Sequence, residues 1–456
     1  MEFEPARILP EFDHLDPSIT LVVALSGGLD SMVLLHALQS LQARGSLLHG
    51  LGAIHVNHRI NPDATRWQAF CETVCRQLQI PLQCVAVDIR REAGQSLEAL
   101  AREARYRQFA ALLDSRQCLL LAHHLDDQLE TLLLRLNRGA GPGGLAGMPR
   151  RRQLGQGTLL RPLMGFQREH LLAYARGNRL EWMEDSSNSD TDIDRNFWRK
   201  EIVPSIRQRF PGFQTGWQNS MALCREADEL LGELASADLA TMTGEDSRIL
   251  HIQPLLALSE PRQRNALRHW MHRQGLQPPG RKLLVQVCRD LLSSQRVGAK
   301  LDCAGASIAR FGELLVLLRR LPLDRGGQLC WNPAAAPTVN LPANGALVAT
   351  LSSQPVDVGK LLPPGPDEQP LEICYRRGGE LVRLAGRPAR TLKKIMQDSS
   401  RPPWLRSRQP VLCRGSEVVC IPGVGVVEGR QADPDEPGLA IDWQVPELLF
   451  GGSGAH

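Results

Sequence analysis

The stretch LVVALSGGLDSMVLLHALQSL, residues 21–41, joins two apolar runs through a pair of glycines. Leu21 to Leu25 reads as a buried strand, and Met32 onward repeats apolar residues at helical spacing. Between them, Ser26-Gly27-Gly28-Leu29-Asp30-Ser31 sits where a strand hands over to a helix. Free backbone N–H groups and the helix dipole favour a phosphate there. No Gly-Lys-Ser/Thr follows, so this is not a Walker A loop, and the GxGxxG spacing of dinucleotide turns is missing as well. Asp30 inside such a cradle repels phosphate unless a divalent cation intervenes, which points to pyrophosphate held with Mg2+. Ser26, Gly27, Gly28, Leu29, Asp30 and Ser31 form the candidate nucleotide-binding set, with Asp30 as the candidate metal ligand and a catalytic residue.

Working outward, strand and helix signals alternate. AIHVN (53–57), CVAVDI (84–89) and CLLLAH (118–123) read as further strands, separated by a helix carrying Phe70, Cys71, Val74, Cys75 and Leu78 and by one over 96–113, and followed by one over 126–138. This alternation predicts a doubly wound α/β domain with a parallel sheet. A glycine-rich loop, GAGPGGLAGM (139–148), and a strand TLLRPL (158–163) follow. Helical spacing dominates from Asn219 to about residue 300, proline-containing segments from Leu321 to Pro370 read as linker with short strands, and a small α+β region follows from Leu371.

The composition is that of a folded protein: 43% apolar and 22% charged residues, with 53 Lys and Arg against 49 Asp and Glu. No apolar stretch approaches a membrane span and the first residues lack a secretory pattern, so a cytoplasmic location is expected. Eleven irregularly spaced cysteines argue against a disulfide framework. Cys71 and Cys75 share a helix face downstream of His55 and His58, but without paired CxxC knuckles core packing is the better reading.

SGGLDS after LVVAL resembles the PP-loop of the ATP pyrophosphatases. HVNH (55–58), LEALAREARYRQF (97–109), LAHHLDDQLETLLLRLNRGAGPGGLAGM (121–148), RPL (161–163), EDSSN (184–188) and RNFWRKEIVP (195–204) are similar in order and spacing to the tRNA(Ile)-lysidine synthase family. The resemblance covers essentially residues 20–212. It implies ATP-dependent ligation of L-lysine to carbon 2 of the wobble cytidine in tRNA(Ile) with a CAU anticodon, through an adenylated cytidine. It also implies that His55, Asn57 and Arg105 join the nucleotide site. The oligomeric state is left open, a homodimer being one form.

On that footing, His123, Asp127 and Glu130 become candidate catalytic residues. They lie at the carboxyl end of a predicted strand and in the first turn of the next helix, where ligands gather in open α/β sheets. Asp126 and Glu130, four apart, are where the ammonium groups of lysine are expected to find acceptors. One carboxylate or a histidine is expected to deprotonate the amine. Arg102 and Arg105, on a helix that Tyr106 interrupts, either reach ATP phosphates or pair with Glu98 and Glu103. Arg195, Asn196 and Arg199 suit phosphate or tRNA contacts.

The expected organisation is a catalytic domain over 1–215, a helical tRNA-contacting domain over 216–325, a linker over 326–370 and a small C-terminal tRNA-binding domain over 371–440. In the last, Lys393, Lys394 and Arg401 are candidate tRNA contacts, whereas Trp404 and Leu405 read as core anchors. Two rival classes remain: a sulfur-transfer enzyme on the same fold, which needs paired cysteines, and a tRNA-binding protein with an inactive nucleotide fold. Intact Asp30, Asp127 and Glu130 weigh against the second.

Overall fold

Successive residues of the first strand face opposite sides. Leu21 and Val23 enter one apolar cluster, Val22 and Ala24 another, as the period of two requires. A sheet buried on both faces needs helices on both, and the computed structural model has them. It describes residues 2–59, 63–87, 97–184, 191–244, 246–276, 279–293, 298–303, 305–319, 329–363, 370–399 and 401–446.

In chain order the first part comprises β1 (Thr20–Ala24), α1 (Leu29–Ala43), β2 (Leu51–Asn57), α2 (Ala64–Gln77), β3 (Leu82–Ala86), α3 (Leu97–Leu112), β4 (Gln117–Leu120) and α4 (Leu125–Asn137). It continues through α5 (Pro142–Leu145), β5 (Arg151–Leu154), β6 (Gly157–Leu160), α6 (Arg168–Gly177), α7 (Asp194–Phe197), one π-helical turn (Trp198–Ile202), α8 (Val203–Arg209) and the long α9 (Phe213–Ala240). The sheet order is β3-β2-β1-β4-β6-β5, parallel except for β5 at the edge. The doubly wound expectation therefore holds. Strand order reverses between β1 and β4, and a crevice forms at such a switch point, outside the carboxyl ends of the strands.

Several details depart from the sequence reading. Helix α1 is buried nearly all round, because α6 and an N-terminal 3-10 turn (Pro5–Glu11) cover its outer side. Helix α3 runs uninterrupted through Tyr106. The end of TLLRPL is a turn: the strand stops at Leu160 and Arg161 begins the bend. The glycine-rich loop includes α5 and is pinned, since Arg135 donates 2.8 Å bonds to the carbonyls of Gly144 and Gly147. A Cβ on Gly147 would lie 2.7 Å from Gln128 Oε1, so close approach of the backbone explains that glycine.

Contacts divide the chain into two compact units, 1–229 and 230–456. In the second, β7 (Ile249–His251), α10 (Ile252–Leu256), α11 (Glu260–Arg273), α12 (Arg281–Val287), β8 (Lys300–Cys303), β9 (Ala306–Phe311) and β10 (Leu314–Arg319) build a helical layer on an antiparallel sheet of order β7-β10-β9-β8. The sheet is absent from the sequence reading. Three-residue β7 is too short for a periodic signal, and its partner Val316 lies far along the chain from Ile249.

Next come β11 (Leu329–Trp331), β12 (Thr338–Leu341), β13 (Gly345–Ser352), β14 (Leu371–Tyr375), β15 (Leu381–Val382), β16 (Arg390–Thr391), α13 (Leu392–Asp398) and α14 (Pro403–Arg406). The last strands are β17 (Pro410–Arg414), β18 (Glu417–Ile421), β19 (Gly425–Val426) and β20 (Gly438–Gln444). Trp331 pairs with Leu371, and β13 pairs along its length with β20, so the stretch read as a linker is woven into the C-terminal sheets. No described helix is long and apolar enough to cross a membrane.

Candidate active site

The turn after β1 is built by its own small residues. Gly27 has φ +81°, a conformation that strains residues bearing a Cβ, and a Cβ there would sit 3.2 Å from Cys71 Sγ. Ser31 Oγ donates to the Gly28 carbonyl at 2.9 Å and meets Ser26 Oγ at 3.0 Å, which fixes the loop against the first turn of α1. Gly28 is the N-cap, with no side chain satisfying the free N–H groups of α1. Asp30 follows in the first turn, and its Oδ1 is buried without a hydrogen bond. A buried hard oxygen beside a phosphate cradle suits Mg2+.

The second half of the site rises from the end of β4. His124 is 1% exposed and caps α4: its Nδ1 accepts from Asp127 N–H, while Asp127 Oδ2 accepts from His124 N–H at 3.0 Å. With Nδ1 accepting, the proton lies on Nε2, which faces Asp30 Oδ2 at 3.6 Å and Asp127 Oδ2 at 3.5 Å. Burial opposes the His124 cation, but Asp127, Asp30 and Asp126 outweigh it and raise its pKa. His124 thus links the two motifs, a role that the sequence reading assigned to neither histidine.

Leu125, Leu129 and Leu133 of α4 pack on Val203, Phe213 and Met221, and this seam brings α7 and the π turn across α4. Arg195 places Nη2 2.6 Å from Asp127 Oδ1 and Nε 2.6 Å from Glu130 Oε2. Arg199 Nε lies 2.6 Å from Glu130 Oε1 and its Nη2 3.4 Å from Asp127 Oδ1. Burial disfavours the charge on Asp127, yet His124 and Arg195 hold its carboxyl below the usual range. Both arginines read as phosphate or tRNA contacts are thus engaged with the two carboxylates. Asp126 lies 3.6 Å from His124 Nδ1 but does not meet Arg195 or Arg199. It accepts from Arg168 N–H at 2.8 Å and from Arg207 Nη2 at 3.0 Å, so the face shared with Glu130 on the helix does not make a joint binding pair here. His123 is neutral: burial, opposed by Asp127 and reinforced by Arg161, Arg102 and Arg195, pushes it down to about 3.

Beside the turn lies a cleft of about 910 Å³, the size that small-molecule ligands use. Ser26, Gly28, Leu29 and Asp30 line it, with His55 and His58 from β2 and its end, Arg105 from α3, and Arg199. His55 Nδ1 donates to the Leu25 carbonyl at 2.8 Å and so braces the turn. Asn57 does likewise for the loop beyond β2, donating to Gln68 Oε1 at 3.0 Å and accepting from Arg59 N–H. Burial, aided by Arg105 and His55, pushes His58 down to about 4. Glu184 of EDSSN lines the cleft; 185–188 lie outside the described residues, as does the side chain of Glu98. Glu103 pairs with Arg107, and Arg102 lies over the Tyr106 ring at 5.2 Å.

Cys71 and Cys75 belong to the core beneath the turn, and burial raises their thiols to about 12 and about 11. Protonated, enclosed thiols do not serve sulfur transfer. In the C-terminal sheets Lys393 and Lys394 are exposed on α13, the latter 3.1 Å from Asp398. Arg401 is directed inward, over the Trp443 ring at 5.3 Å and toward the Pro422 carbonyl at 3.3 Å, and Arg408 is buried. Trp404 packs edge-on against Phe311 and Leu405 is buried, as anchors do.

A family model described as PP-loop domain matches residues 6–206, the TilS substrate binding domain matches 250–316, and the TilS substrate C-terminal domain matches 371–443. The tRNA(Ile)-lysidine synthase of Coxiella burnetii is 36% identical over 448 residues, 98% of each chain. That of Pseudomonas aeruginosa is 40% identical over 445 residues, 93% of each chain. The chain belongs to the tRNA(Ile)-lysidine synthase family. The solved U34-tRNA thiolase NcsA from Methanococcus maripaludis is 16% identical with a TM-score of 0.42, over 48% of this chain and 77% of that one. Membership of the lysidine synthase family rests on the near full-length relatives, whose match spans both units.

Proposed function

We propose that the chain forms lysidine on tRNA(Ile) at the crevice between β1 and β4, using ATP and L-lysine. The observation that carries this reading is the meeting of the SGGLDS turn with the Asp127–Glu130 carboxylates through His124 and Asp30. In the first step the oxygen on carbon 2 of the wobble cytidine attacks the α-phosphorus of ATP, and pyrophosphate leaves. In the second, the deprotonated side-chain amine of lysine attacks carbon 2, and AMP leaves.

The N–H groups at the start of α1 bind the departing pyrophosphate, and His55 keeps the turn in shape from behind. Asp30 would hold Mg2+, which when bound would neutralise phosphate charge. Asp127 and Glu130 are the acceptors for the ammonium groups of lysine. Arg195 and Arg199 already bridge these carboxylates, so a cationic substrate must share or displace a guanidinium; Arg199 lines the cleft and has phosphate within the same site to turn to. Helical and C-terminal regions over 216–325 and 371–440 supply tRNA contacts, with Lys393 and Lys394 on backbone phosphate.

Incubation with radiolabelled lysine, ATP and tRNA(Ile) bearing CAU tests the reading. Label should enter the tRNA only with ATP; ATP-independent or absent transfer rejects it.

A further inference from the structure

We propose that Arg161 is a positioning residue that holds His123 as its neutral Nε2–H tautomer, so that His123 is a fixed N–H donor and not the base that removes the lysine proton. The proposal rests on the reading of the site given above.

The sheet brings the two residues together. Leu120 on β4 is in register with Leu160 on β6, and Leu121 N–H donates to the Leu160 carbonyl, so the residues just beyond both strands share one carboxyl edge. Arg161 is 2% exposed, and its fork is spoken for: Nε donates to His123 Nδ1 at 3.2 Å, Nη1 to the Pro149 carbonyl at 2.6 Å, and Nη2 to Tyr106 Oη at 3.4 Å. Its backbone N–H donates to the Arg150 carbonyl. A guanidinium has donors only. Nδ1 must therefore offer its lone pair, and the one proton of a neutral imidazole lies on Nε2. That nitrogen makes no hydrogen bond among the described residues.

The charges facing His123 reinforce the assignment. Asp127 on α4 favours a second proton, but Arg161, Arg102 on α3 and Arg195 on α7 oppose it, as does burial. A second proton on Nδ1 would point at Arg161 Nε. An imidazole so held is a poor base and a fixed donor.

Nitrogen-15 NMR of the full-length protein labelled at histidine tests this, with His123→Asn identifying the signal. Protonated Nε2, bare Nδ1 and no titration between about pH 5 and pH 8 are expected; an Nδ1–H tautomer or titration in that window overturns the proposal. In Arg161→Met the tautomers should mix and His123 should begin to titrate, whereas an unchanged spectrum overturns the role of Arg161. Should that variant not fold, the wild-type spectrum decides alone. For the catalytic role, His123→Gln, which keeps a neutral N–H, should retain the acid limb of the pH profile for lysine transfer; its disappearance identifies His123 as the base and rejects the proposal. The spectra need no turnover, so absence of lysidine formation beside a fixed Nε2–H tautomer rejects the reading of the reaction and not the tautomer.

Discussion

Arg199 Nε lies 2.6 Å from Glu130 Oε1, and Glu130 is 1% exposed although its guanidinium partners are not fully enclosed. A carboxylate so deeply desolvated persists only with its cations in place. Glu130→Gln should lower stability by about 2–4 kcal/mol, read as a shift of the urea midpoint. It should also depress lysine transfer by about 100-fold while leaving ATP-dependent pyrophosphate release much less affected. Equal loss of both steps would argue against Glu130 as a lysine acceptor.

Gly27 offers a test that does not depend on charge. With φ +81° and Cys71 Sγ 3.2 Å from a modest Cβ, Gly27→Ala should cost about 1–2 kcal/mol in thermal or urea unfolding. ATP affinity should fall beyond what the loss of fold explains. Normal ATP binding in this variant would show that the turn is not the phosphate cradle.

For Asp30, whose Oδ1 is buried without a hydrogen bond and lies 4.0 Å from Arg168 Nε, substitution by Asn keeps the shape and removes the charge. Pyrophosphate release should drop by at least about 100-fold and require more Mg2+ for half its maximum. An unchanged Mg2+ dependence would remove Asp30 from the metal site.

Stability should depend on pH through the histidines held neutral. His58 is pushed down to about 4 and His123 to about 3, while His36 and His55 are also lowered by burial. Below about pH 6.5 the unfolded chain takes up protons that these folded histidines refuse, so stability falls with pH at up to about 1.4 kcal/mol per unit for each. His124, raised, acts in the opposite sense: its contribution is present at low pH and fades as pH rises through its folded value. Urea unfolding at several pH values between about 7.5 and 5 should show a net loss toward acid, made shallower by His58→Asn. A slope identical in that variant would mean that His58 is not held neutral.

The exposed pair Lys393 and Lys394 and the inward-facing Arg401 and Arg408 make contrasting predictions. Replacing both lysines with alanine should weaken tRNA binding and reduce its salt slope by about 1–2, with stability within about 0.5 kcal/mol. Arg401→Ala and Arg408→Ala should act on stability instead. A normal salt slope in the double lysine variant would place tRNA elsewhere.

Local patterns were enough for the N-terminal α/β fold and the glycine turn. The apolar run 21–25, the two glycines and the repeated strand–helix alternation are short-range signals, because strand and helix periods are set by the backbone itself. Alternate burial of Leu21, Val22, Val23 and Ala24 in two cores follows from the same period. The partners of the charged side chains were not legible in this way. Asp126, Asp127 and Glu130 share one helix turn, yet Asp126 faces Arg207 and the other two face Arg195 and Arg199, because packing of Val203 and Phe213 on α4 decides which cations arrive. The same holds for Arg161, whose RPL motif does not name a partner and which meets His123 through the pairing of β4 with β6. It holds again for the short strands β7 and β11, whose hydrogen bonds are made with distant segments. Sequence alone determined the glycine turn between β1 and α1, since that depends on backbone freedom over a few residues. Tertiary structure decided which charges neutralise which, since that depends on separations of a few ångströms between residues far apart in the chain.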